Sequence, residues 1–297
     1  MELAERETER PIESSVNFDR GFRPKTYSLE SLISRFEREA NLRGLRPKTI
    51  HSYSFSLRTF FQETGLNPET ATVEKIQRYV SRVSREKKLS ASSQNLLISA
   101  LRFFFIKVTK TFINLDLERP FKLRNYPEIL TKDEVQRIID SAKTLKHKAI
   151  LTLIYSSGLR VSEAVELFPS DLDIEKRFIR VRSIEPQRQR MTLLSDFDLS
   201  VVEKYLSKLG NPKFLFPGQD SLNSMSIRSA EKIFEVAKIR AGIQKKVSIH
   251  SLRHSYANQL LSEGTSLKLL QFLLGHKNLQ TTQFYAEGPW LSYAKVG

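Results

Sequence analysis

Apolar residues recur at helical spacing along most of this chain, and one stretch containing two prolines interrupts the pattern. From about residue 28 they return every three or four positions, as on the buried faces of consecutive amphipathic helices. Around Pro120 and Pro127 the period disappears, and proline does not fit the interior of a helix. The sequence therefore predicts a mainly α-helical protein with two helical domains joined by a linker.

Domain boundaries follow from where the helical pattern starts and stops. Residues 1–26 are polar and show no period, so we expect a flexible arm. Residues 27–110 contain four helical patterns, of which the fourth, NLLISALRFFFIKV, is apolar on most sides and should be central to a four-helix domain. Residues 111–126 are the expected linker, and residues 127–297 are the second domain. A chain of 297 residues is long enough for a buried core in each domain.

The second domain is predicted to be mostly helical with one small β-sheet. Thr131 and Glu134 form the pattern of a capping box at its first helix, and a buried helix ends at Gly158. Strand-like runs then flank a turn in KRFIRVRSIEPQRQRMTLL, residues 176–194. The arginines of this stretch belong either to a solvated surface hairpin or to a basic finger that reaches a phosphate site. Further helices are expected around 196–208, 225–241, 250–262, 266–274 and 278–286.

Charge and composition narrow the class of partner. Lys and Arg number 48 against 33 Asp and Glu, and the excess of +15 is spread along the chain, which favours binding of a polyanion such as nucleic acid. The absence of cysteine excludes disulfides and thiolate chemistry. No apolar run reaches the roughly 18 residues of a membrane helix, and the charged first residues are unlike a secretory signal. We therefore expect a cytoplasmic protein with no membrane partner.

Three short segments of the second domain combine residue types suited to phosphate chemistry. They are GLRVSE (158–163), HSLRH (250–254) and LLGHKNLQTTQFY (273–285), and the last two contain three of the chain's five histidines. Taken singly, each histidine, arginine or tyrosine has an ordinary structural explanation. Taken together, two arginines, two or three imidazoles and a phenol suit attack on a phosphodiester by a tyrosine. No cluster of carboxylates or metal ligands accompanies them, so we expect neither a metal nor another cofactor.

In their order and spacing these three segments resemble the signature boxes of the tyrosine recombinase (phage-type integrase) family, most closely its Xer-like and integron-integrase-like members. The segment LRPKTIHSYSFSLRTFF is similar to the start of that family's N-terminal core-binding domain, and the resemblance spans residues 27–290. It implies a tyrosine recombinase fold, in which a four-helix core-binding domain and a mostly helical catalytic domain close around double-stranded DNA. It also implies DNA contacts by Arg46, Lys48 and Thr49.

The resemblance assigns the chemical step to a tyrosine and two arginines. It implies that Tyr285 attacks the phosphodiester to give a 3′-phosphotyrosyl link, which conserves the bond energy so that strands rejoin without ATP. Arg160 and Arg253 would hold the non-bridging oxygens, because their planar forks neutralise charge where it develops.

Two histidines and one glutamate complete the implied set. His250 is expected to accept a proton, and His276 is expected to give the phosphate a hydrogen bond. Glu163 either supports the loop of Arg160 or is an ordinary glutamate on a helix surface.

The family's remaining catalytic group, a lysine in a hairpin turn that protonates the leaving 5′-oxygen, has no counterpart in this sequence. No lysine occurs between Lys176 and Lys204, so the turn SIEPQRQR lacks one. An arginine of the hairpin could take its place by stabilising a developing alkoxide, although a guanidinium is a poor proton donor. The candidates are Arg182, Arg188 and Arg190, of which Arg188 and Arg190 are also expected to contact DNA.

Two functions are compatible with these residues. The first is a site-specific recombinase that cuts and rejoins DNA as a homotetramer, in chromosome segregation, integration, excision or cassette exchange. The second is a recombinase-fold DNA-binding protein that is weakened or inactive as an enzyme because the hairpin lysine is missing. A type IB topoisomerase shares the chemistry, but the compact layout argues against it. The recombinase is favoured because the other five catalytic residues of the family are present, namely Arg160, His250, Arg253, His276 and Tyr285.

Overall fold

The computed structural model describes residues 27–111, 115–120, 126–182, 189–197, 199–220 and 222–288. The chain divides into two compact units, Met1–Arg124 and Asn125–Gly297. The predicted arm and the hairpin segment 183–188, which includes Arg188, lie outside the described residues. The division falls inside the predicted linker, and the domain boundaries drawn from the sequence stay predictions.

In its described residues, the first unit has four α-helices followed by a π-helical segment. Their bounds are α1 Leu29–Leu42, α2 Pro47–Thr64, α3 Val73–Glu86, α4 Ala91–Arg102 and the π-helix Phe103–Val108. Ser28, Thr72 and Ser90 cap α1, α3 and α4 by accepting hydrogen bonds from backbone N–H groups. The sequence NLLISALRFFFIKV runs through α4 and the π-helix, and Phe104 and Phe105 within it are fully buried. The prediction of a four-helix fold with this segment in its core is confirmed.

Where the structure describes it, the second unit is mostly helical with a small sheet, as predicted. Its helices are α5 Lys132–Asp140, α6 Leu145–Ser157, α7 Val161–Val165, α8 Leu199–Leu206, α9 Ile227–Arg240, α10 Ile249–Ser262, α11 Leu267–Leu274 and α12 Leu279–Ala286. Residues 149–157 of α6 are all buried, which explains why this helix is apolar on every side. Among the helices of the described residues, none has the length and hydropathy that a membrane crossing requires.

The sheet is formed by β1 Leu172–Asp173, β2 Phe178–Val181 and β3 Arg190–Leu193, in that order and with antiparallel pairing. The two runs predicted to flank the hairpin turn are β2 and β3. Val181 of β2 faces the core, but on β3 the buried residue is Thr192, whose hydroxyl donates to the Ser157 carbonyl at 2.8 Å. Met191 and Leu193 are exposed instead. This hydrogen bond to the end of α6 therefore decides which face of β3 is buried. The apolar residues of the strand would have favoured the opposite face.

A tight turn between α6 and α7 positions the first of the functional segments. Gly158 ends α6 with a left-handed φ of 63°, a conformation that glycine adopts without strain. Arg160 is the N-cap residue of α7, and the Glu163 side chain accepts a hydrogen bond from its backbone N–H at 2.8 Å. The chain thus leaves a buried helix and turns back within three residues, with Arg160 at the turn.

Replacing Gly158 with alanine should destabilise the second unit, because a Cβ atom would overlap the Tyr256 ring and lie 3.0 Å from Leu274 Cδ2. A left-handed backbone costs any residue with a Cβ about 1–2 kcal/mol, and overpacking adds about 1–3 kcal/mol. Gly210→Ala is the matched control, since Gly210 has a φ of 71° but open space around it. Urea denaturation should show the larger loss of unfolding free energy for Gly158→Ala. Equal losses in the two variants would contradict the steric argument.

Candidate active site

Residues from three separate segments meet where the ends of α6 and α11 approach α7, α10, α12 and β3. Arg160, Arg253, His276 and Tyr285 lie together in this cluster. His250 is the predicted residue that does not join them. It is exposed at the start of α10, and its side chain makes no hydrogen bond among the described residues.

Arg253 is a deeply buried cation of the cluster, with only 7% of its side chain exposed. Its Nη1 donates to the carbonyl of Gly158 at 2.5 Å and its Nη2 to the carbonyl of Leu274 at 2.6 Å. Both carbonyl groups lie at the C-terminal end of a helix, where the helix dipole stabilises a positive charge. Burial, together with the charge of Arg160, lowers the pKa of Arg253 to about 10, so the guanidinium stays charged at neutral pH.

The C-terminal end of α11 holds three guanidinium groups through three consecutive carbonyls. The pairs are Arg190 Nε with the Leu273 oxygen at 3.0 Å, Arg253 Nη2 with the Leu274 oxygen at 2.6 Å, and Arg160 Nη2 with the Gly275 oxygen at 3.3 Å. Gly275 has a left-handed φ of 62°, and a Cβ there would lie 2.8 Å from Arg190 Cδ. A residue without a side chain is therefore required for the guanidiniums to approach this helix end so closely.

Glu163 is the carboxylate around which these cations gather. Its oxygens accept hydrogen bonds from both terminal nitrogens of Arg190 at 2.8 and 2.9 Å and from Nη1 of Arg160 at 2.8 Å. Arg253 Nη1 lies 3.9 Å from the same carboxylate. The side chain is only 15% exposed, so Glu163 is no ordinary surface glutamate and instead supports the Arg160 loop.

The charge state of Glu163 is fixed by its partners. Burial alone would raise its pKa, but the hydrogen bonds and charge of Arg190 and Arg160 hold the pKa at about 2. The carboxylate is therefore ionised across the physiological range. One negative charge thus offsets part of three buried or half-buried positive charges, and the cluster keeps a positive excess suited to a phosphate anion.

The three hairpin arginines that were candidates to replace the lysine differ in their surroundings. Arg190 is buried, with 6% of its side chain exposed, and its guanidinium is occupied by Glu163 and the end of α11. Its contacts favour a positioning role for Arg190, and its predicted roles as a DNA contact and as a substitute for the lysine stay predictions. Arg182 is half-exposed, binds the buried Asp171 at 2.6 Å and lies over the Phe168 ring. Arg188 lies outside the described residues.

His276 is neutral and holds Arg253 in place. Its Nε2 lies 3.1 Å from Arg253 Nη2 and its Nδ1 lies 3.0 Å from Thr282 Oγ1. Because a guanidinium can only donate, Nε2 must be the acceptor and Nδ1 carries the proton. Burial, reinforced by the nearby Arg253, lowers the pKa of His276 to about 3. Its ring also stacks parallel to the Tyr285 ring, at 6.2 Å between centroids.

The Tyr285 hydroxyl contacts His254, a histidine for which we predicted no role from the sequence. Tyr285 is 3% exposed, and its hydroxyl oxygen lies 2.8 Å from Nδ1 of His254. Burial raises the pKa of Tyr285, although the charges of Arg253 and Arg160 act in the opposite direction. The signal that could have identified His254 is its position in HSLRH, directly after the arginine that enters the cluster.

The residues predicted to contact DNA from the first unit lie at one helix start. Arg46 is the N-cap residue of α2, and Lys48 and Thr49 fall in its first turn. Arg46 and Lys48 are exposed and Thr49 is half-buried, so this end of α2 presents positive charge to solvent. In the part of the chain that the structure describes, no three histidine or carboxylate side chains are grouped so that they could hold a metal ion.

Two family models match the sequence. The Phage integrase family model matches residues 128–288, which is more than half of the chain and contains the whole cluster. The model for the phage integrase N-terminal SAM-like domain matches residues 32–114 in the first unit.

Curated relatives match over most of their length. The tyrosine recombinase XerA of Pyrococcus horikoshii is 32% identical over 262 residues, which are 86% of this chain and 88% of XerA. The tyrosine recombinase XerD of Oceanobacillus iheyensis is 32% identical over 264 residues, which are 82% of this chain and 88% of XerD. These values establish common descent across both units.

Solved structures share the fold. The crystal structure of XerA recombinase matches at 27% identity with a TM-score of 0.54, covering 90% of this chain and 97% of that one. The XerH site-specific recombinase, in a pre-cleavage complex with difH substrate, matches at 20% identity with a TM-score of 0.68, covering 92% and 85%. The XerH likeness bears on the fold alone. Together with the family models and the relatives, these structures mean that the chain belongs to the phage integrase family of tyrosine recombinases.

Proposed function

We propose that this protein is a site-specific DNA recombinase that cuts and rejoins DNA strands through Tyr285. The observation that carries the proposal is the position of the Tyr285 hydroxyl, buried beside a histidine and within the field of Arg160 and Arg253. A buried phenol with a histidine and two guanidiniums around it is suited to attack on an anionic phosphate group. The 32% identity to XerA and XerD supports the same activity.

The cation cluster is suited to a phosphodiester in its transition state. Negative charge builds on the two non-bridging oxygens as the tyrosine oxygen attacks, and preformed donors at those oxygens stabilise it. Arg160 is 40% exposed and can meet an oxygen from the open side, while Arg253 is fixed behind it. An arriving phosphate anion also offsets the neighbouring cations and favours the protonated form of His276, which could then donate to it.

The proposed reaction needs no energy source or cofactor. The bond from Tyr285 to phosphorus forms as the bond from phosphorus to the 5′-oxygen breaks. The resulting 3′-phosphotyrosyl ester keeps the energy of the original phosphodiester. A 5′-hydroxyl can therefore reverse the reaction on the same or another strand, which is the basis of recombination.

Double-stranded DNA is the proposed partner, and the acting form is a homotetramer. The +15 charge excess and the exposed Arg46 and Lys48 support phosphate contacts by the first unit. The XerH chain of similar fold was solved with its difH substrate, which supports DNA as the ligand of this fold. We infer a cytoplasmic location because that is where such a substrate lies.

Tyr285→Phe should abolish covalent attachment to DNA while leaving the fold intact, because only the attacking oxygen is lost. The assay uses nicked duplexes of randomised sequence, from which covalently captured DNA is amplified and then rebuilt as half-site suicide substrates. Wild type should give a protein–DNA adduct that survives denaturing electrophoresis, and Tyr285→Phe should give none. Tyr126→Phe, which keeps the ring that stacks on Phe284, is the matched control and should retain the adduct. An adduct in Tyr285→Phe would contradict the assignment of the nucleophile.

Glu163 should make stability fall in acid, because its folded-state pKa is about 2 against an ordinary value of 4.5. A depressed carboxyl pKa contributes stability above the unfolded value and loses it as pH falls through the folded value. Between about pH 6 and about pH 3 this amounts to a loss of about 2 kcal/mol. Urea denaturation at the two pH values should show this loss of unfolding free energy in wild type and a smaller loss in Glu163→Gln.

The control for this measurement is Glu166→Gln, an exposed glutamate just after α7 that should keep the wild-type dependence on pH. If Glu163→Gln and wild type lose the same stability in acid, the carboxylate is not held in its ionised form by the arginines.

A DNA substrate with a bridging 5′-sulfur at the cut should be cleaved faster than its oxygen counterpart. The thiolate leaves without a proton, so it bypasses the general acid that the missing hairpin lysine supplies in the family. Loss of a general acid costs about 10²–10⁴-fold, and the sulfur substrate should recover a similar factor. Single-turnover adduct formation measures both rates. Equal rates would mean that another residue of this protein already protonates the leaving oxygen.

A further inference from the structure

Arg190 binds both of the groups that hold the Arg160 side chain. Arg160 donates from Nη1 to Glu163 Oε1 at 2.8 Å and from Nη2 to the Gly275 carbonyl at 3.3 Å. Arg190 donates to the same carboxylate from both terminal nitrogens, and from Nε to the Leu273 carbonyl of the same helix end. We propose that Arg190 is a positioning residue for strand cleavage, which fixes Glu163 and the end of α11 so that Arg160 meets a non-bridging oxygen of the phosphate. This inference rests on the recombinase activity proposed above.

The burial of Arg190 argues against a direct contact with the substrate. Its side chain is 6% exposed, whereas that of Arg160 is 40% exposed. All three nitrogens of its guanidinium donate hydrogen bonds within the protein, and a Cβ on Gly275 would lie 2.8 Å from its Cδ. The effect of Arg190 on the reaction therefore passes through its partners.

These contacts depend on the shape of a guanidinium as well as on its charge. The two terminal nitrogens of Arg190 meet the two oxygens of Glu163 at 2.8 and 2.9 Å, and such a parallel pair fixes the plane of the carboxylate. Glu163 Oε2 also accepts from the backbone N–H of Arg160 at 2.8 Å, so the carboxylate orients both the backbone and the side chain of Arg160. A lysine has a single nitrogen and cannot form this parallel pair while also binding the helix end.

The parallel pair keeps Arg160 available to the phosphate. Among the described residues, the Arg160 side chain uses one donor for Glu163 and one for the Gly275 carbonyl, so its other donors remain for an anion. Without Arg190 the carboxylate is free to turn toward Arg160 and compete with the phosphate for those donors. A displacement of about 1 Å in a catalytic site costs about 10²-fold in rate. Arg190 should therefore affect the rate of cleavage and leave the affinity for DNA nearly unchanged.

The first test keeps the charge of Arg190 and removes its shape. In Arg190→Lys, single-turnover adduct formation on the captured half-sites should slow by about 10²-fold, while the dissociation constant for DNA stays within about twofold of wild type. Arg180→Lys, on the neighbouring strand and exposed, is the matched control and should keep both values. A wild-type rate in Arg190→Lys would overturn the proposal, because the charge alone would then suffice. A loss of DNA affinity as large as the loss of rate would overturn it in favour of a direct DNA contact.

The second test asks whether Arg190 acts through Arg160, by means of a double-mutant cycle. If it does, Arg160→Lys combined with Arg190→Lys should form adduct about as slowly as Arg160→Lys alone, because the residue being positioned is already lost. Two independent contributions would instead multiply, and that result would overturn the proposal. A role that only stabilises the fold would also give multiplied effects.

The substrate with a bridging 5′-sulfur separates positioning from help to the leaving group. Arg190→Lys should slow cleavage by the same factor on the sulfur and the oxygen substrates, because Arg160 acts on the non-bridging oxygens of both. A much smaller factor on the sulfur substrate would mean that Arg190 serves the leaving oxygen in place of the missing lysine, and would overturn the positioning role.

Folding and activity controls keep these outcomes distinct. All rates are measured well below the melting temperature of each variant. If Arg190→Lys does not fold, Arg190→Gln, which keeps one donor to Glu163, replaces it in the cycle and in the comparison of the two substrates, with the same expected results. A wild-type protein that forms no adduct with any captured sequence contradicts the recombinase function itself. Multiplied effects in an active wild-type background contradict only the role given to Arg190.

Discussion

The ion-pair network around the Glu163 carboxylate is the interaction on which the rest of the site depends. Three guanidiniums lie close together in a largely buried space, and without a counter-charge their repulsion and desolvation would be prohibitive. Glu163 binds two of them directly, and carbonyls at the ends of α6 and α11 accept further hydrogen bonds from the guanidiniums. The C-terminal ends of the helices therefore stabilise the arginines by partial negative charge. A second carboxylate in their place would cancel more of the positive charge that attracts a phosphate.

Local sequence patterns predicted the helices, because the spacing of apolar residues is a local property, and the catalytic set was predicted from the resemblance of three short segments to a known family. Apolar spacing marked each buried helix face, and the three signature segments each bring their own turn or helix start. The partners of those segments could not be predicted in this way. Arg190 meets Glu163 across 27 positions, and no periodicity links a strand residue to a helix N-terminus that far away.

The basic hairpin shows why the charge of a residue did not predict whether its side chain is exposed or buried. Arg180 and Arg190 lie on neighbouring strands, yet Arg180 is exposed while Arg190 is buried in an ion pair. Thr192 is buried by a hydrogen bond to α6, and Met191 and Leu193 are exposed beside it. Strand alternation is a reliable pattern, but a polar contact formed by tertiary packing decided which half of the pattern faces inward.

The C-terminal end of α11 is a binding partner that the three arginines have in common. Because consecutive carbonyls of one helix each accept a hydrogen bond from a different guanidinium, a rigid shift of α11 changes all three of these hydrogen bonds at the same time. Catalytic geometry tolerates displacements of only about 0.5 Å. The position of this one helix end is therefore a condition that all three arginines share.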